Sequence, residues 1–287
     1  MKSTTYLAFS VLVSLGAANA QNRNNIKAPN STGTAVTIST MGRIDLDNPF
    51  FSSLGTNGRS CASCHRAEDG WSITPAHLRQ RFEASEGLDP VFRPVDGANS
   101  PNADVSTIER RRAAYGMLLN KGLIRIGLPV PPNAEFELIG VDDPYGFASA
   151  AELSLFRRPL PSTNLKFLSA VMWDARETIS KINANADLLA DLRHQIIDAT
   201  NGHAQAAAPP SPEQVEQILA FETGLYTAQV FDNEAGNLRS RGALGGPEQV
   251  STQQFFIGSV EWELTIVTVG PTGALMVIIG IGSEVLN

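Results

Sequence analysis

The chain's two cysteines, Cys61 and Cys64, stand in one run, Cys61-Ala62-Ser63-Cys64-His65, inside the Gly- and Ser-rich stretch from Gly55 to Trp71. Two cysteines in 287 residues are no disulfide framework. The fold must therefore rest on apolar burial, which a chain of this length can supply. The spacing also narrows the chemistry. A structural zinc site takes four ligands, and beyond this run the chain offers His77, His194 and His203, none paired at short spacing. A thioredoxin-like redox pair sits between the strand and helix of a βαβ unit, whereas the flanks here are Gly, Asn, Ser and Arg.

An incidental disulfide and covalent haem attachment remain. In the second case the Cys61 and Cys64 sulfurs form thioethers with the haem vinyl groups, and His65 reaches back to ligate the iron. Two intervening residues make one tight turn, and the next residue projects its imidazole under the ring. The neutral ring ligates iron, and its other nitrogen is held by a backbone carbonyl or a carboxylate. The expected cofactor is one covalent haem c.

The amino terminus fits that chemistry. Lys2 precedes an apolar stretch from Tyr6 to Leu15, and small residues follow to Ala18-Asn19-Ala20. Residues 1–20 read as a secretory signal cleaved after Ala20, which predicts a periplasmic product. The apolar stretch is too short to span a bilayer. Cleavage removes Lys2 and no acid, moving the formal charge from -7 to -8. An acidic chain is a poor partner for nucleic acid.

Residues 21–45, rich in Asn, Ser and Thr, predict a disordered lead-in. Helix starts are predicted at Asn48-Pro49, at Thr74-Pro75, at Ser106 or Thr107, and at the capping box Ser211-Pro212-Glu213-Gln214. The last of these is expected to continue through Leu225 and Tyr226. A hairpin is predicted from "LIRIGLPV" and "EFELIGV" between Leu123 and Val141. Another helix is predicted from Asp187 to about Ala199, with Leu188, Leu189, Leu192 and Ile196 in one stripe and His194 turned away. The expected fold class is mostly α, a cytochrome c-like helical domain over 46–235 with a small β-hairpin insertion. Residues 236–287 read as an atypical tail, truncated or frameshifted. Its apolar run Leu264–Ile281 is interrupted by Gly270, Pro271 and Gly273, which makes a membrane span an unfavourable reading.

The segments "GTNGRSCASCHRAEDGWSITPAHL", "FRPVDGANSP", "NKGLIRIGLPVP", "RRPLPSTNLKFLSAVMWDARE", "ATNGHAQ" and "FETGLYTAQ" together resemble the amino-terminal half of the di-haem cytochrome c peroxidase family, over about Leu46 to Gln254. The resemblance implies that Trp173 corresponds to the tryptophan between the two haems. It implies too that Asp174 and Arg176 hold the turn together or meet haem propionates. A buried aromatic beside the haem is the other reading of Trp173. The family's second Cys-x-x-Cys-His is missing here.

A low-spin electron carrier fills both axial positions of the iron, while peroxide chemistry needs an open one and a nearby acid or base. His203, in "TNGHAQ", is the candidate distal residue, as a second iron ligand or a proton shuttle. His77 is the other candidate. The expected function is a periplasmic c-type cytochrome domain that transfers electrons, with a small redox protein or another cytochrome as donor or acceptor. The alternatives are a haem peroxidase acting on hydrogen peroxide, with His203 and Trp173 as catalytic groups, and an inactive truncated remnant.

Overall fold

A computed structural model of the chain describes residues 24–179 and 188–253, together with the short strands Thr268–Val269 and Ala274–Leu275. The predicted signal at 1–20 and most of the apolar tail lie outside the described residues. Among the described residues no helix is long and apolar enough to cross a membrane.

The expectation of a mostly helical cytochrome c-like domain is overturned. The chain is 31% helix and 14% strand, an α/β mixture with a four-stranded and a two-stranded sheet. Two regions account for the difference. The first is the supposed lead-in, which forms strands β1 (Ile26–Asn30) and β2 (Gly33–Ser39). Its Thr-Ala-Val-Thr-Ile run is β-prone, and Val36 and Ile38 are buried. The second is the end of the last strong helix, which stops at Thr223. Leu225 and Tyr226 open β5 (Leu225–Asp232) instead.

β2 and β5 pair antiparallel, with Ile38 opposite Tyr226 and Val36 opposite Ala228. β1 and β6 (Gly236–Asn237) flank them, giving the order β1-β2-β5-β6. The predicted hairpin also changes partner. β3 (Ile124–Gly127) pairs with β4 (Ser154–Arg157), while Phe136, Ile139 and Val141 of the expected second strand are exposed.

The capped helices follow their signals. Thr74 accepts from the His77 amide at the start of α1 (Pro75–Ser85), which buries Leu78 and Phe82. Ser211 and Gln214 form the reciprocal cap of α5 (Pro212–Thr223). Asn48 caps only a short 3-10 turn, Pro49–Phe51. The helix expected after Thr107 breaks at Tyr115 into α2 (Ile108–Ala114) and α3 (Gly116–Lys121). α4 spans Leu188–Gly202, burying Leu192 and Ile196 but leaving Leu189 exposed. A last short helix, α6, spans Pro247–Thr252. In the tail, Thr268–Val269 and Ala274–Leu275 pair antiparallel.

Two apolar cores flank the cysteine run. One is built from α1, α3 and β3 and includes Phe82, Phe92, Tyr115 and Leu118, with Cys64 packed against it. The other joins α4 to α5 and includes Phe50, Trp71, Ile196 and Phe221, with Cys61 packed against it. The Phe221 ring lies 5.0 Å from Phe50 and 5.6 Å from Trp71, in tilted and edge-to-face contacts. The run is thus clamped on both sides.

Candidate functional site

Cys61–Ser63 form a single 3-10 turn, tied by the Ser60 amide donating to Ser63 Oγ at 3.0 Å. The Cys64 and His65 amides both donate to the Cys61 carbonyl, at 3.1 and 3.0 Å. The turn places Cys61, Cys64 and His65 on the wall of one cavity of about 560 Å³. That volume is within the range of cofactor-sized sites, roughly 300–1,000 Å³. Apolar groups make up most of the lining, including Ile126, Leu165 and Ile196. Arg157, Arg158 and Arg176 add positive charge to it.

The two cysteines are free thiols. Burial pushes both well above the ordinary thiol range, and the nearby Glu222 carboxyl pushes Cys61 further. Burial thus favours the protonated form of both thiols in this cavity. His65 Nδ1 lies 3.0 Å from the Trp71 carbonyl, which fixes the proton on that nitrogen and leaves Nε2 as the basic one. Burial lowers the His65 pKa to about 4, the carbonyl partly opposing it, so the imidazole is neutral at physiological pH. Trp71 is fully buried and adopts a left-handed backbone at φ 64°. That conformation is costly for a residue with a side chain. Its indole Nε1 donates to Thr37 Oγ1 of β2 at 2.9 Å, so the sheet holds the carbonyl that orients His65.

His203 reaches the same cavity from the end of α4. Its Nδ1 meets Asp96 Oδ2 at 2.5 Å, and the other Asp96 oxygen accepts from the Arg59 guanidinium. Arg59 also donates to the Val91 and Pro90 carbonyls, at 2.6 and 2.9 Å. Burial works to raise the Asp96 carboxyl, but the His203 hydrogen bond and the Arg59 charge outweigh it and hold it below the usual range. An ionised Asp96 keeps a proton on His203 Nδ1, and Nε2 is the ring nitrogen outside this pair.

The other candidates are placed differently. His77 is bound through Nδ1 to Asp69 at 2.6 Å and does not line the cavity. Trp173 does line it, but at 59% exposure it is no buried aromatic, and its Nε1 donates to the Arg158 carbonyl at 2.9 Å. Arg176 also lines the cavity and is held by Asp174 at 3.0 Å. Asp174 therefore acts by holding the turn. His194 is exposed on α4 and bonds Glu177, outside the cavity.

Four groups at the site escaped the sequence reading: Trp71, Arg59, Asp96 and Glu222. Glu222 lies on α5 and lines the cavity. Burial raises its pKa to about 7, with a Ser162 hydrogen bond opposing. A carboxyl raised in this way binds its proton more tightly when folded. Its contribution is complete below the ordinary glutamate pKa and disappears as pH rises through about 7. Glu222→Gln should therefore gain about 2.5 kcal/mol relative to wild type between pH 5 and pH 8. Urea unfolding at the two pH values measures this; a constant difference between the two proteins would remove the buried-acid assignment. Because His65 is depressed and acts in the opposite sense, the comparison is between variant and wild type rather than within one protein.

The donor set fits a covalently held haem: two free thiols and a neutral imidazole open onto one mainly apolar cavity with arginines in its wall. No protein-family model matches the chain, and neither a curated protein nor a solved structure matches it.

Proposed function

We propose that the chain is an exported c-type haem protein that carries one covalent haem and passes single electrons to or from a small redox protein or another cytochrome. The observation that carries this reading is the convergence of Cys61, Cys64, His65 and His203 on one cavity. Bound there, haem supplies a one-electron iron couple. The chain's own residues do the rest. Cys61 and Cys64 would tether the ring, and His65 would offer Nε2 because the Trp71 carbonyl holds its Nδ1. Arg157, Arg158 and Arg176 supply positive charge suited to propionates. The apolar wall excludes water, which keeps the electrostatics of the site strong.

A second reading, reduction of hydrogen peroxide with electrons from a small redox protein, is favoured by the Asp96–His203 pair. Asp96 orients His203 so that Nε2 can accept or release a proton at the cavity wall, the task of a general acid and base. The optical spectrum of the reduced, exported protein with and without peroxide separates the readings. A haem spectrum indifferent to peroxide is expected for the electron carrier. A spectrum that peroxide alters, and that stays unaltered in His203→Ala, would replace it with the peroxidase. An exported chain without haem absorbance would dismiss both.

A further inference from the structure

A second cluster of ligating groups lies on the outer side of α4, away from the cysteine run. Glu177 Oε2 meets His194 Nδ1 at 2.7 Å, and suitable atoms of Glu177, His194 and Asp198 all lie within 4.8 Å of one another. His194 and Asp198 are four residues apart on one helix and so share a face. Asp191, one turn earlier, shares it too. Glu177 comes from the preceding loop and is itself buried, with 8% of its side chain exposed. Its second oxygen faces Arg176 Nε at 3.8 Å, which leaves Oε2 to the cluster.

A second observation concerns the same loop. Asp191 is 1% exposed and is aimed at the same loop, since its Oδ1 accepts from the Ile179 amide at 2.7 Å. Its Oδ2 is buried and has no hydrogen-bond partner among the described residues. A buried carboxylate oxygen without a donor is costly, and a nearby cation relieves it.

We propose that Glu177, His194 and Asp198 bind a divalent metal ion of borderline softness, of which zinc is the representative, with Asp191 supplying additional negative field from beneath. One imidazole with two carboxylates is a donor set that zinc accepts, and it suits Ca²⁺ or Mg²⁺ less well because those ions prefer oxygen throughout. Zinc–ligand bonds of about 2.0–2.2 Å bring ligand atoms to about 3.4 Å of one another in a tetrahedron. Zinc would replace the proton shared by His194 and Glu177 and open their 2.7 Å contact, while rotation of the exposed Asp198 side chain brings its carboxylate in and water fills the remaining position. The site opens on a smaller cavity of about 270 Å³, which Glu177 and Asp198 share with His203 and Asp96. A cation there would sit beside the haem cavity without being part of it.

The proposal does not depend on the haem reading. The test is calorimetric titration with zinc chloride of the full exported protein, stripped with chelator, alongside His194→Ala and Asp198→Asn. One equivalent of zinc is expected in the wild type, with affinity weakened at least about tenfold in each variant while the circular dichroism stays unchanged. Calcium chloride in place of zinc is expected to give little heat. The proposal is overturned if the wild type takes up no zinc. It is equally overturned if both folded variants keep wild-type affinity, or if zinc is lost only on Cys61→Ala with Cys64→Ala, which would assign the ion to the thiols.

Discussion

Exported protein in which Cys61 and Cys64 are both replaced by alanine is expected to lose the whole mass of one haem, and with it all absorbance that survives denaturation. Single replacements should retain one thioether at most and attach haem in lower yield. His65→Ala differs in kind. It leaves both sulfurs in place and removes the imidazole that the Trp71 carbonyl orients at 3.0 Å. Covalent haem should then persist on a denaturing gel, while the spectrum of the folded protein changes because the imidazole that would hold the iron has gone. Intact-mass measurement and in-gel haem staining read these outcomes directly. Wild-type protein with two titratable thiols and no added macrocycle would end the haem reading. The double substitution has a large effect because the sulfurs are the sole covalent anchors that Cys-x-x-Cys-His provides.

Signals that act within a few residues were legible in the sequence. Thr74 before Pro75 and the Ser211–Gln214 pair start helices as read, because a cap satisfies amides that belong to its own first turn. What depended on distant partners was not legible. Residues 33–39 look like a polar lead-in until residues 225–232 are placed beside them, and only that pairing makes Thr37 and Val36 interior. Leu225 and Tyr226 continue an apolar spacing that a helix could use. The helix stops at Thr223 with Gly224 as its cap, and the backbone of Leu225 and Tyr226 pairs with β2 instead. The same division holds at the site. Cys61, Cys64 and His65 are contiguous, and the cavity contains all three. Asp96 and Arg59 are joined only by folding, and no local pattern marks either. Trp71 lies six positions beyond His65, but its carbonyl matters only through a left-handed backbone that nothing in its side chain foretells.

The Arg59–Asp96–His203 network sets the second large effect. Arg59 is 2% exposed and Asp96 4%, so both charges have left water, and their pairing is what makes their burial tolerable. Asp96→Ala leaves the Arg59 guanidinium buried opposite no carboxylate and takes the Nδ1 partner from His203. Breaking one side of a buried pair typically costs about 3–5 kcal/mol. A loss of that size is expected in urea unfolding, with Asp96→Asn falling between it and wild type because the amide oxygen can still accept one bond. Replacing Arg59 by Met together with Asp96 by Leu should cost less than the two single changes summed, since neither partner is then left charged and alone. Acid provides an independent check. Asp96 is held below its ordinary pKa, so its contribution is present above about pH 4 and is lost as pH falls through the lowered value. Asp96→Ala should flatten that acid limb. A stability change under about 1 kcal/mol, or an unchanged acid limb, would show that the pair does not hold this wall of the cavity together.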